Sequence, residues 1–114
     1  MDDAAIRQGD CFFGTKNYTK AINAYDKVIA NYGIGSDYAQ YQKSMSLGFL
    51  GKNDEKAIEL AKIASEYPDS NFKDDALFQL GNTFATLTDN FKAHSAYNRL
   101  KEKHPKSSYI PGVL

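Results

Sequence analysis

From residue 77 onward the chain keeps a helical rhythm. Leu77, Leu80, Gly81 and Phe84 lie three or four residues apart or adjacent, Thr88-Asp89 interrupts them, and Ala93, Tyr97 and Leu100 resume the spacing. This pattern predicts two helices joined by a short turn. Gly14-Thr15-Lys16-Asn17 and Gly51-Lys52-Asn53 make the same interruption earlier in the chain. Such clusters mark turns, because glycine accepts left-handed backbone and Asn caps the helix that follows. Six helices are therefore predicted, at 2–14, 18–32, 37–51, 54–67, 72–87 and 90–104, and the fold class is all-α.

The helix pairs repeat. Lys20-Ala21 recurs as Lys56-Ala57 and Lys92-Ala93, a period of 36 residues, with Asn17, Asn53 and Asp89 standing four residues before each alanine as expected N-caps. Asp2-Asp3-Ala4 returns as Asp74-Asp75-Ala76, and Gly9 with Phe12 returns as Gly81 with Phe84. A period of this length marks a stacked-repeat protein, in which each unit buries its apolar face on its neighbours. One domain over 1–114 is expected, with repeats at about 2–34, 35–70 and 71–106, and 107–114 as the start of a fourth. Pro105 to Leu114 copies the junction before the fifth helix, so Tyr109 matches Phe72 and Leu114 matches Leu77. Residues 109–114 are too few to hold a helix alone. Met1 followed at once by Asp2-Asp3-Ala4-Ala5 reads as an initiating methionine set before an existing helix start, so a piece of a longer protein is expected.

Composition narrows the classes of function. At 114 residues, 42% hydrophobic and 25% charged, the chain suits one ordinary globular core. Fourteen basic residues balance fourteen acidic ones, which leaves no basic footprint for nucleic acid or an anionic membrane surface. No apolar run approaches the roughly 20 residues of a spanning helix, so direct membrane insertion is not expected. Cys11 is the only cysteine, which excludes an internal disulfide and a cysteine metal cluster.

Leu77-x2-Leu80-Gly81-x2-Phe84, Ala93-x3-Tyr97 and Pro105 resemble the tetratricopeptide signature position for position. The first repeat keeps Gly9, Phe12, Ala21 and Tyr25, but has Ala5 and Gln8 at the two large apolar positions and Gly33 in place of the proline. The second keeps Tyr41 and Ala57, shows Met45 and Gly48 where glycine and an aromatic are expected, and has Pro68 one residue early. The resemblance implies a right-handed superhelical stack, an α-solenoid, acting as a protein-interaction module. The signature is a packing code: small residues at Gly9, Gly81, Ala21, Ala57 and Ala93 let paired helices approach, while Phe12, Phe84, Tyr25 and Tyr97 fill the space between them. The junctions Tyr67-Pro68-Asp69-Ser70-Asn71-Phe72 and His104-Pro105-Lys106-Ser107-Ser108-Tyr109 resemble those of a bacterial cell-envelope branch, which includes periplasmic Tol-associated proteins and outer-membrane assembly lipoproteins. That likeness implies a periplasmic or envelope location, with the cytoplasm as the alternative.

No catalytic, metal or cofactor constellation is expected. The acidic pairs Asp2-Asp3, Asp54-Glu55 and Asp74-Asp75 fall in the first turns of predicted helices, where carboxylates complement the helix dipole. His94 and His104 are ten residues apart with no further ligand at metal spacing. Cys11 takes the repeat position of Leu47 and Thr83 and is expected to be a buried small hydrophobe without a base nearby. Gly33-Ile34-Gly35 is too short for a phosphate loop.

By the resemblance, the first helix of each repeat lines a concave groove. The positions are Ile6, Asp10 and Phe13; Gln42, Ser46 and Phe49; and Phe78, Asn82 and Thr86. Phe13, Phe49 and Phe78 would anchor a protein segment, and Gln42 and Asn82 would orient it. Ile6 and Phe78 stand where a carboxylate clamp would need lysine, so binding of a C-terminal carboxylate is not expected. The alternative is a structural spacer or self-association segment with no groove ligand. The apolar Tyr109, Ile110, Val113 and Leu114 point to weak homo-oligomerisation, or to a tail folded over the last repeat.

Overall fold

The computed structural model describes residues 3–107 and 109. It contains α1 (Asp3–Gly14), α2 (Tyr18–Asn31), α3 (Ser36–Phe49), α4 (Asn53–Glu66), α5 (Lys73–Thr86) and α6 (Asn90–Lys103), with no strand among the described residues. Each predicted helix is present, with ends within two residues of those expected. Successive helices form the principal packing pairs from α1·α2 through α5·α6. The result is a helical-repeat stack of three hairpins.

The turns within hairpins follow one solution. Lys16, Gly51 and Thr88 each take a left-handed backbone, with φ of 63°, 78° and 61°. This reverses the chain in a few residues before the next helix starts. Asn17 caps α2 by accepting from the Lys20 amide at 3.4 Å, and Asp89 caps α6 by accepting from the Lys92 amide at 3.1 Å. Asn53 does not act as predicted: α4 starts one register position early, Asn53 is already helical, and Lys52 stands at the cap without a side-chain hydrogen bond. The first-turn acids Asp54, Glu55, Asp74 and Asp75 do lie at helix N-termini.

The core is a chain of small clusters along the stack. Tyr25, Ala21, Val28, Ala5 and Ala39 form the first, and Leu60, Ile63, Ala76 and Leu80 belong to the second. Ala64, Leu77 and Leu100 form the third. Where a ring must lie against a backbone, the signature glycines are needed: a Cβ on Gly9 would stand 2.5 Å from Tyr25 Cε1, and one on Gly81 would overlap the Tyr97 ring. A polar strut joins the first two repeats. Lys43 on α3 bridges Asp26 on α2 at 2.8 Å and Glu59 on α4 at 3.5 Å, and Gln40 donates to Glu59. Paired this way, the buried Glu59 carboxylate is tolerated.

Cys11 is exposed, contrary to expectation. Ser46 and Thr83, which stand at the same place before the turns at Gly51 and Thr88 as Cys11 does before Lys16, are buried because α2 packs on α3 and α4 packs on α5; Leu47, the partner expected from a strict period, lies one position further along. Among the described residues no helix precedes α1 to cover Cys11.

The Pro-x-Ser-x-aromatic junctions form a recurring clasp. The Ser70 hydroxyl donates to Asp37 at 2.6 Å and accepts the Phe72 amide, while the Phe72 ring stacks on Tyr41 with centroids 5.6 Å apart. The next junction repeats each contact. The Ser107 hydroxyl donates to Asp74 at 2.9 Å and accepts the Tyr109 amide, while the Tyr109 ring stacks on Phe78 at 4.4 Å. The Tyr109 hydroxyl also donates to Asp75. Tyr109 therefore lies back over the third repeat. Ile110, Val113 and Leu114, and the question of a helix beyond 109, lie outside the described residues.

Candidate protein-binding groove

The groove face is built from α1, α3 and α5. Spacings of four and three residues put Ile6, Asp10 and Phe13 on one side of α1, and contacts with Phe13 and with the Tyr25 and Tyr38 hydroxyls bring Phe49 and Gln42 of α3 to the same face. Phe13 meets Phe49 edge-on with centroids 6.0 Å apart. Tyr18, from the first turn of α2, completes the cluster: it stacks on Phe49 at 4.9 Å and meets Phe13 at 5.6 Å. Phe49 nevertheless remains 60% exposed. A large ring held by two others while open to water is a preorganised apolar contact surface.

Beside these rings stands the half-buried Asp10. Tyr25 and Tyr38 both donate to its Oδ1, at 2.5 and 2.8 Å. Burial, then the bond to Asp10, holds the Tyr25 hydroxyl far above the ordinary tyrosine range. The same two causes push Tyr38 up to about 12. Gln42 faces both hydroxyls and opposes the rise. In the third repeat the equivalent bond runs from the Tyr97 hydroxyl to Asn82 Oδ1 at 2.5 Å. Thus a neutral amide does there what a carboxylate does in the first repeat.

The nine expected positions separate into distinct environments. Asp10, Phe13, Gln42 and Phe49 gather on the α1–α3 side, and Ile6 packs into the adjoining core with its Cδ1 beneath Gly35. Ser46 does not reach the surface: it is 0% exposed and its hydroxyl donates to the Gln42 carbonyl at 2.8 Å. At that position a small side chain bonds back onto its own helix, and α3 is covered on both sides. Phe78 is not a free anchor, since Tyr109 stacks on it and Tyr97 tilts against it at 6.4 Å. Thr86 is exposed and donates to the Asn82 carbonyl at 3.0 Å.

Sequence reasoning missed Tyr18 and Tyr38. Neither occupies a signature position, and each supplies a group to the groove from outside the nine. The available signal was their identity as aromatics at positions where the other repeats carry none: Asn53 and Asn90 stand at the place of Tyr18, and Asp75 at that of Tyr38.

The charges are unevenly partnered. The ion pairs among the described residues are Lys43 with Asp26 and Glu59, Lys62 with Glu59, and Lys92 with Asp89. Asp10, Asp37, Asp74 and Asp75, all on α1, α3 and α5, are held by hydroxyl or amide donors and, among the described residues, by no cation.

A family model described as tetratricopeptide repeat matches residues 3–33, 38–70 and 75–107. Comparison with curated proteins finds no match.

Proposed function

Because the chain belongs to the tetratricopeptide repeat family, whose members generally mediate protein–protein interactions and are typically non-catalytic, we propose that it binds a peptide or helix of a partner protein across α1 and α3. The observation that carries this is Phe49, 60% exposed yet fixed between Phe13 and Tyr18. Exposed aromatics usually lie alone; a rigid cluster beside a hydrogen-bonded carboxylate has the makings of an interface centre. Phe78 belongs to the scaffold end of the groove in this reading, covered by Tyr109 as Tyr41 is by Phe72.

The test is affinity capture from lysate with the wild-type chain and with Phe49→Ala, each followed by cross-linking to locate the contact. Crosslinks to α1 and α3, with capture lost in the variant, support the groove. Equal capture by both proteins, with crosslinks elsewhere, overturns it. A chain that captures nothing but forms concentration-dependent oligomers in light scattering favours a spacer or self-association role. In the same reading the module is part of a larger bacterial envelope-associated protein, supported by the likeness of the two Pro-x-Ser-x-aromatic junctions. Recovery of the native protein in the cytosolic fraction alone would overturn that setting.

A further inference from the structure

We propose that the partner segment presents a lysine or arginine to Asp10, three or four residues from an apolar side chain that packs on Phe13, Tyr18 and Phe49. This rests on the groove reading above and adds the chemistry of the ligand. The first support is a comparison within the molecule. Asn82 shows that the tyrosine at this place needs only a carbonyl-type acceptor, so the packing does not require a charge at position 10. A half-buried carboxylate is costlier to desolvate than an amide, and the charge at Asp10 is therefore surplus to the scaffold.

The second support is how that charge is used. Both tyrosines donate to Oδ1, which leaves Oδ2 without a hydrogen bond among the described residues. The ion pairs of the described residues all involve carboxylates on α2, α4 and the cap of α6, and none reaches Asp10. The rest of the lining contributes rings and amides: Phe13, Tyr18, Tyr38, Gln42 and Phe49. A groove whose carboxylate pairs with no cation among the described residues is complementary to a positively charged segment. The field of Asp10 is felt by its neighbours, since it raises both tyrosine hydroxyls.

Geometry sets the spacing in the ligand. Asp10 and Phe13 are three residues apart on α1, about 4.5 Å along the axis. A partner helix matches this with its cation and its apolar anchor at i and i+3 or i+4. An extended segment matches it with neighbouring residues on one face.

The experiment selects random twelve-residue peptides displayed on phage against the folded wild-type chain, then measures synthetic copies of the winners by titration calorimetry. Enrichment of peptides with Lys or Arg three or four residues from an aromatic or aliphatic residue is expected. Their affinity should fall at least tenfold with Asp10→Asn, fall with added salt, and stay level with the exposed control Asp69→Asn. Replacing the peptide arginine by citrulline, or acetylating its lysine, should give the same loss without altering the protein. Acidic or neutral winners overturn the inference. So do cationic winners that bind Asp10→Asn, or their own neutralised forms, as tightly as before. If Phe49→Ala weakens binding in those cases, the groove reading survives without the cation. Winners indifferent to both Asp10→Asn and Phe49→Ala, or no enrichment at all, overturn both readings.

Discussion

Two glycines on corresponding helices should respond in opposite directions to the same substitution. A methyl group on Gly9 would lie 2.5, 2.7 and 2.9 Å from three atoms of the Tyr25 ring, whereas ordinary carbon contacts begin near 3.5 Å. The ring has nowhere to go: Tyr25 is fully buried and its hydroxyl is tied to Asp10. Overpacking of this kind costs about 1–3 kcal/mol. Shifting the ring off Asp10 forfeits about 1 kcal/mol of hydrogen bonding, while alanine recovers about 1 kcal/mol of helix propensity. Gly9→Ala is thus expected to lose about 1–3 kcal/mol. At Gly48 the added methyl would meet Lys56 Cδ at 2.9 Å and Nζ at 3.1 Å, the far end of a flexible chain that can swing into water. The propensity gain is then nearly unopposed, and Gly48→Ala is expected to stabilise by about 0.5–1 kcal/mol. Urea titrations followed by far-ultraviolet circular dichroism separate the two if the slopes agree. A Gly9→Ala protein as stable as wild type, or a Gly48→Ala protein destabilised as much as Gly9→Ala, refutes the packing argument.

Phe84 packs against the second core cluster and under Lys92, so Phe84→Ala should cost about 2–4 kcal/mol, less than or similar to a fully buried ring, against about 1 kcal/mol or less for the exposed Phe49→Ala; equal losses in thermal melts would make Phe49 core and remove it from the groove. Ser70→Ala removes a donor to Asp37 and an acceptor for the Phe72 amide, with an expected loss of about 1–2 kcal/mol and faster amide exchange at the start of α5; unchanged exchange there would show that the clasp is ornamental to the junction. The Tyr38 and Tyr109 hydroxyls are pushed from 10.0 up to about 12, so between those values the unfolded chain loses protons that the folded chain keeps. Their contribution is complete below pH 10 and is lost as pH rises toward 12. Tyr38→Phe should therefore flatten the alkaline fall in stability measured by urea midpoints, and an unchanged slope rules out Tyr38 as a contributor.

The architecture was legible because its packing code is periodic. A glycine and a ring at Gly9 and Tyr25, and again at Gly81 and Tyr97, can recur together only if the same two helices meet in the same way. The clasp was half legible: Tyr109 was matched to Phe72, but the serine bonds to Asp37 and Asp74 cross a helix pair and leave no local pattern. What failed were readings that depend on neighbours in the stack. Cys11 and Ser46 share a place in the repeat, yet one is exposed and the other buried, because coverage by a preceding helix belongs to the stack and not to the repeat. Ser46 failed for the same kind of reason. Phe78 resembled a groove anchor until the following junction was seen to lie on it.

The second repeat shows why a signature read residue by residue understates the likeness. In the first and third repeats a lysine ammonium sits over a phenylalanine, Lys20 over Phe12 at 5.7 Å and Lys92 over Phe84 at 5.6 Å. The second repeat has the buried Leu47 at that place, and Lys56, standing where the other repeats have Ala21 and Ala93, lays its stem against Gly48 at the next position of α3. Burial there lowers the Lys56 ammonium's proton affinity, the cost of using an aliphatic stem as filler. One turn earlier in the helix, Gly9 and Gly81 accompany Tyr25 and Tyr97, whereas the buried Ser44 accompanies the buried Leu60, so an aliphatic side chain stands where the other repeats have tyrosine. That exchange also removes the tyrosine that bonds to Asp10 and Asn82, and the matching place on α3 holds Met45, which carries no oxygen acceptor. The missing tyrosine is what makes the repeats differ along the groove. Asp10 and Asn82 are each held by a ring from behind, and the middle position is not, so the charged, oriented acceptor lies at the α1 end beside the Phe13–Tyr18–Phe49 cluster. A scaffold that tolerates either acceptor has no need of the carboxylate, and its choice at position 10 is where a sequence-specific partner would be read.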